Sequence, residues 1–205
     1  MNNLLRQDSA LIVIDIQNDF CPGGSLAVER GDDVVAPINE LIGRSANVIL
    51  TQDWHPVDHL SFADKHPGKS VFETITLPYG AQTLWPPHCI QGTRGAAFHG
   101  DLDYTRAQLI VRKGFRVEID SYSAFFENDK TTSTGLGGYL RDRSIMNLVV
   151  VGLATDYCVA WSAMDAARLG FNTTVMISAC RAIDLEGSLA TQMSAMHATG
   201  VTLVE

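Results

Sequence analysis

The sequence predicts an α/β domain, a three-layer α/β/α sandwich built on a six-stranded, mostly parallel, Rossmann-like sheet. Three observations carry that prediction. Six apolar runs of four or five residues recur along the chain, too short for helices and too continuous for half-exposed strands. Several are separated by segments whose apolar residues follow helical spacing, and that alternation implies βαβ crossovers with helices on both faces of the sheet. The length of 205 residues, 46% hydrophobic and 19% charged, suffices for one domain with a sizeable core, taken here as residues 1–205.

Ala10–Ile14 reads as the first strand and ends at Asp15, followed by a loop through Cys21-Pro22-Gly23-Gly24. Asp32 or Asp33 is expected to cap a helix whose inward positions are Val34, Val35, Ile38, Leu41 and Ile42, with Pro37 in its first turn. Asn47–Thr51 is the second strand, running into Asp53-Trp54-His55. From Asp53 to Arg106 no strong periodicity shows, and a loop of that length is uncommon unless it is functional or built from short elements. Gln108–Arg112 is the third strand, followed by Lys113-Gly114. Thr134 is placed to cap a short helix with Leu136, Tyr139 and Leu140 inward.

Leu148–Val151 is the fourth strand. It passes Gly152 and a turn, Leu153–Tyr157, onto a helix over about 156–169 that carries Cys158 at its start and Gly170 at its end. The polar stripe of that helix is Ser162, Asp165 and Arg168, so most of it is expected to be buried. Thr173–Ile177 is the fifth strand, Glu186–Thr199 a helix stopped by Gly200, and Val201–Val204 the last strand.

Composition narrows the function. The net charge of −8 and the absence of a basic cluster argue against nucleic acid and anionic membranes as partners. No apolar run approaches the roughly 18–20 residues of a membrane span, and the first residues show no secretory pattern. Four scattered cysteines without a CxxC pair fit a reduced, cytoplasmic chain.

In open parallel sheets ligands bind beyond the carboxyl ends of the strands. Four of those ends carry reactive side chains: Asp15, Asp53 with His55, Lys113, and the turn leading to Cys158. A lone buried cysteine is more often inert than nucleophilic. A thiol delivered by a strand and a tight turn to a helix N-terminus is in the right place to attack, because partial positive charge and free N–H groups gather there. With Asp15 as base and Lys113 as a cation expected to stabilise Asp15 and Cys158 as charged species at neutral pH, the set makes a nucleophilic catalytic centre. Asp53, His55 and His88, with His59 nearby, form a second constellation of carboxylate and imidazoles suited to a divalent ion such as zinc, iron or manganese. His66, His99 and His197 are read as surface or capping residues.

The segments Asp15-x-Gln-x-Asp-Phe20, Asp53-Trp-His55-Pro, Trp85-Pro-x-His88-Cys, Lys113-Gly114, Asp120-Ser-Tyr-Ser-Ala-Phe125, Gly152-Leu-Ala-Thr-Asp-Tyr-Cys158-Val and Ala179-Cys-Arg-Ala-Ile-Asp184 resemble, in order, the nicotinamidase branch of the isochorismatase-like cysteine hydrolases. Cys158 separates the chain from isochorismatases proper, and the Asp53, His55, His88 set separates it from the metal-free amidases of the superfamily. The resemblance implies hydrolysis of nicotinamide, and of pyrazinamide, to the acid and ammonia through a thioester on Cys158, in a pathway of NAD salvage. It also implies an Asp15–Lys113–Cys158 triad, an oxyanion hole from the N–H groups of Ala154 and Cys158, and one divalent metal, zinc foremost, on Asp53, His55 and His88. Phe20 and Trp85 would sandwich the substrate ring, with Ala154 and Tyr122 also in contact. His59 matches a fourth ligand of some members. A cis peptide is implied before Ala154. Family members occur as monomers and as assemblies, so a homo-oligomer stays open.

Overall fold

The apolar runs become the strands of one sheet in the computed structural model, which describes residues 6–205. In chain order the strands are β1 (Ser9–Ile14), β2 (Val48–Asp53), β3 (Thr74–Leu77), β4 (Gly80–Thr83), β5 (Leu109–Lys113), β6 (Asn147–Leu153), β7 (Asn172–Arg181) and β8 (Thr202–Val204). The helices are α1 (Val35–Arg44), α2 (Leu136–Asp142), α3 (Ala160–Arg168) and α4 (Ser188–Ala198). Six strands form the main sheet in the order β5-β2-β1-β6-β7-β8, every neighbouring pair parallel. β3 and β4 pair only with each other, as an antiparallel hairpin.

Both faces of the sheet are covered, which explains the unbroken apolar runs. Leu11 and Val13 of β1, with Val149 and Val151 of β6, pack toward α1 through Val35, Ile38, Leu41 and Ile42. Ala10, Ile12 and Ile14, with Leu148 and Val150, pack on the opposite face against Leu136, Ala160, Ala163, Met164 and Met196 from α2, α3 and α4. The chain winds outward from β1 to β2 on one side and from β6 to β7 on the other. The switch point therefore lies between β1 and β6, where a doubly wound sheet opens a crevice.

Several local expectations are corrected. Neither Asp32 nor Asp33 caps α1 through its side chain; a short 3₁₀ turn, Gly31–Val34, leads into the helix, and Asp33 pairs instead with Arg30 at 2.6 Å. The helix after β6 does not begin as an α-helix: Thr155–Val159 is a π turn closed by the Val159 N–H on the Ala154 carbonyl at 3.1 Å, and α3 starts at Ala160. The helix is mostly buried, as its narrow polar stripe implies, and Ser162 and Asp165 of that stripe are themselves buried, the first accepting from the Ala124 N–H at 2.8 Å and the second pairing with Arg168 at 3.0 Å. β5 runs one residue further than its apolar pattern, so Lys113 belongs to the strand. The hairpin β3–β4 is one of the short elements that build the long segment from Asp53 to Arg106, whose sequence marks no strand there.

Gly152 fixes the spacing of the two central strands. It lies opposite Ile14 with φ +122°, and a Cβ added there would stand 2.2 Å from the Ile14 carbonyl oxygen. Backbone cannot yield as a side-chain tip does. Gly152→Ala is expected to destabilise the fold by roughly 2 kcal/mol or more, read from urea unfolding. A loss below about 0.5 kcal/mol would show that β1 and β6 can separate there.

Candidate active site

The strand order β5-β2-β1-β6 sets Lys113, Asp53, Asp15 and the turn bearing Cys158 side by side at one end of the sheet. Asp15 leaves β1 in the left-handed region, φ 47°, a conformation Asp tolerates better than most residues. Its backbone turns at once, with the Gln17 N–H donating to the Asp15 carbonyl at 2.8 Å. The carboxylate is fully buried. Oδ1 accepts from Thr51 Oγ1 at 2.6 Å, while Oδ2 lies 2.8 Å from Lys113 Nζ and makes no directed hydrogen bond.

Lys113 is equally buried, and its ammonium is surrounded. It contacts Asp15, hydrogen-bonds Asp53 Oδ1 and the Ser121 carbonyl (3.0 Å), and reaches Cys158 Sγ at 3.4 Å. Burial alone would strip such a lysine of its proton. Asp15 and Asp53 more than reverse that, so its pKa rises well above the ordinary value and the group stays charged. Burial also pushes the Asp15 carboxyl up, to about 6, against the pull of Lys113. The Cys158 thiol is pushed far up by burial, opposed by Lys113 and reinforced by Asp15 and Asp53. Lys113 thus keeps Asp15 in reach of ionisation at neutral pH, but it does not offset burial at Cys158, and the expected charged sulfur is corrected to a resting thiol.

Asp53, His55 and His88 bring one donor atom each within 4.8 Å of the others, and all three are buried. The His88 Nδ1–H donates to the Pro86 carbonyl at 2.8 Å, which leaves Nε2 as a bare lone pair 3.9 Å from Asp53 Oδ2. Burial drives its pKa down to about 4, so the ring is the neutral form that binds metals. His55 Nε2 lies 3.2 Å from Asp120 Oδ1, whereas its Nδ1 is buried without any partner. Three buried carboxylates, Asp15, Asp53 and Asp120, face a single buried ammonium, Lys113. An orphaned imidazole nitrogen and excess negative charge both fit a divalent cation. Burial lowers the His55 pKa, but Asp120 and Asp53 outweigh it and raise it. Gly114 makes room: it sits at φ +64°, and a Cβ there would stand 2.7 Å from His55 Nε2.

His59 is tied elsewhere. Its Nδ1 accepts from the Ser61 N–H at 3.1 Å and faces Ser61 Oγ at 2.7 Å, so the proton sits on Nε2, 3.4 Å from the Ile119 carbonyl. His59 groups with His55 and Asp120 and not with Asp53 and His88.

A narrow cavity opens onto these groups, lined by Phe20, Trp85, His88, Tyr122, Ala154 and Cys158, with Asp53 and Asp120 at its polar end. All ten residues singled out from the sequence thus converge here, directly or through Lys113, Asp15 and His55 behind the wall. The Leu153–Ala154 peptide is cis, as the resemblance implied. Sequence reasoning missed Leu26, Tyr157 and Ile183, which also line the cavity. It gave no role to Thr51, Gln17, Asp120 or Gln82. Gln17 locks Asp53 by accepting from its N–H and donating to its carbonyl, both at 2.8 Å. Asp156, beside the thiol in sequence, accepts from the Ile183 and Asp184 N–H groups at 3.0 and 2.8 Å and so fixes the loop that carries Ile183.

A six-stranded α/β fold with a buried thiol, carboxylate and ammonium at its switch point defines the class: a hydrolase domain of the cysteine type with an adjoining carboxylate–imidazole donor set. The chain belongs to the isochorismatase family, residues 9–205 matching the isochorismatase domain. It is 55% identical over 192 residues to a nicotinamidase of Acinetobacter baylyi, covering 94% of this chain and 90% of the relative. An Acinetobacter baumanii nicotinamidase/pyrazinamidase superposes with a TM-score of 0.96 at 57% identity, over 98% of this chain and 97% of that one. A pyrazinamidase of Pyrococcus horikoshii, solved in complex with zinc, superposes with a TM-score of 0.78 at 33% identity, over 97% and 99% of the two chains.

Of the four free thiols, only Cys158 lines this cavity. A substrate-sized ligand in the cavity is therefore expected to slow alkylation of Cys158 and not of Cys21, which lines a separate pocket, read by peptide mass spectrometry. Equal labelling of Cys158 with and without nicotinamide would count against the access route described.

Proposed function

We propose that this protein is a nicotinamidase, a metal-dependent amidase that converts nicotinamide to nicotinate and ammonia and also accepts pyrazinamide. The observation that carries the reading is the contact of Lys113 Nζ with Asp15, Asp53 and Cys158 Sγ at the base of an aromatic cavity. The names of the similar enzymes support the substrate, and the zinc in the Pyrococcus horikoshii pyrazinamidase supports zinc on Asp53, His55 and His88, a donor set that iron or manganese also suits. A divalent ion bound there supplies a Lewis-acid anchor for a pyridine nitrogen.

The chain's own residues do the rest. Phe20 and Trp85, with Tyr122, confine the ring, and confinement turns a weak amide electrophile into a near-attack conformer. The Cys158 thiol attacks the carbonyl carbon while Asp15 Oδ2, the carboxylate oxygen without a directed hydrogen bond, takes its proton. The C–S bond forms as the carbonyl π pair moves onto oxygen. The N–H groups of Ala154 and Cys158 receive that oxyanion, a contribution of about 3–4 kcal/mol per donor in comparable sites. Asp15 returns the proton to the amide nitrogen, the C–N bond breaks, and ammonia leaves a thioester on Cys158. Water then attacks with Asp15 as base, the C–S bond breaks, and the thiol regains its proton. Lys113 holds Asp15 in place and steadies charge developing on sulfur. Among the described residues no helix is long and apolar enough to cross a membrane. Four unpaired buried thiols suit a cytoplasmic setting.

Cys158→Ala is expected to abolish ammonia release from nicotinamide while bound metal stays at the parent level, measured by coupled assay and elemental analysis. Turnover in that variant would rule out the thioester route. The acid limb gives a second check. Asp15 must be ionised to accept the thiol proton, and its pKa is raised to about 6, so kcat/KM should fall as pH drops through that value. A profile that stays flat down to pH of about 5 would remove Asp15 as the base.

A further inference from the structure

We propose that Gln82 is a positioning residue that sets both the His55 imidazole, through Asp120, and the aromatic wall, through Tyr122; this rests on the metal and cavity roles given above. Hairpin β3–β4 is otherwise exposed or half-exposed, and Gln82 is the single residue of its two strands that is fully buried. A short hairpin has no apolar reason to drive a carboxamide inward. What it meets there accounts for its burial.

Gln82 Nε2 lies 2.9 Å from Asp120 Oδ2, 2.9 Å from Tyr122 Oη and 2.7 Å from the Thr83 carbonyl, so its two hydrogens are shared among three acceptors. Its Oε1 accepts from Tyr79 Oη at 3.0 Å and Asn128 Nδ2 at 3.3 Å. The amide has only one workable orientation, because a carboxylate and a carbonyl stand on one side and an amide donor on the other. From Asp120 the chain of contacts runs to His55 Nε2 at 3.2 Å, with the Ser121 N–H donating to the same Asp120 oxygen at 2.8 Å. From Tyr122 it runs to Trp85, whose Nε1–H donates to the Tyr122 hydroxyl at 3.1 Å. One side chain thus holds the carboxylate behind a donor imidazole and the phenol behind a ring-facing indole. Asp120 holds the outer position that fixes ring orientation and tautomer, where loss of a partner costs about 10–100-fold in metal affinity in other proteins, and Gln82 holds Asp120.

Gln82→Leu keeps the bulk and removes the donors. It is expected to weaken zinc binding at least about tenfold, read by competition with a chelating dye, and to raise KM for nicotinamide more than it lowers kcat. Combined with Asp120→Asn, the zinc losses should overlap and not multiply, because both changes act through one contact. If the Leu variant does not fold, Gln82→Met, unbranched and of matching length, carries the same measurements. Zinc affinity within about twofold of the parent, or fully multiplying losses, would overturn the proposal and reduce Gln82 to a peg for the hairpin. The zinc measurement needs no turnover. A parent protein that binds zinc but leaves nicotinamide intact would sink the amidase reading and not this one.

Discussion

The site depends on one buried cation. Lys113 is sealed from water, and an ammonium in that position is tolerable only when opposite charge and hydrogen-bond acceptors surround it. Asp15 and Asp53 supply the charge and the Ser121 carbonyl a further acceptor, each from a different part of the chain. The sheet order explains how they meet: β5, β2 and β1 are neighbours, so their last residues lie in a row, and β6 continues the row toward Cys158. The fold positions the lysine, and the lysine decides which of its neighbours stay charged.

Around that cation burial favours the thiol form of Cys158, while the Asp15 carboxyl stays the more acidic of the two. Burial raises both the Cys158 and the Asp15 pKa, but Lys113 and the Thr51 hydroxyl favour ionised Asp15 and keep it near 6. The two protonation states are thereby split on either side of neutrality, the arrangement general base catalysis needs. A preformed thiolate is the less favoured arrangement, because two carboxylates stand close to the sulfur and only one ammonium does.

Those residues were legible in the sequence because they terminate strands, and strand ends can be found from apolar runs. Asp15, Asp53, Lys113 and the Gly152–Cys158 turn were located to within a residue or two for that reason. The hairpin was not, although Thr74-Ile-Thr-Leu77 alternates with period two and Pro78-Tyr79-Gly80 marks a turn. Its strands bury almost nothing, so no hydrophobic signal rose above the loop around it. Gln82 was invisible for the same reason, a polar residue among polar residues whose partners lie about forty positions away. The caps failed differently. Asp33 has the right type and place for an N-cap, but Arg30 and Arg181 draw its carboxylate outward, and a 3₁₀ turn begins the helix without it. The π turn at Thr155–Val159 leaves no mark in composition, since its residues differ from an α-helical start only in which carbonyl accepts.

Asp53 makes the triad and the donor set one electrostatic unit. Oδ1 is bound to the ammonium, while Oδ2 faces the bare Nε2 of His88 across a gap a cation can bridge. A divalent ion held by the proposed donor set would share that carboxylate with the Lys113 ammonium. Gln17 clamps the Asp53 backbone from both sides, which fixes the strand end that carries the carboxylate. Removing Asp53 would strip the donor set of its only carboxylate and leave Lys113 with Asp15 alone as counter-charge. Loss of activity on that substitution would thus report both proposed roles at once, and the two are separable at residues that touch one side: Thr51 beside Asp15, His88 and Asp120 beside the donor set.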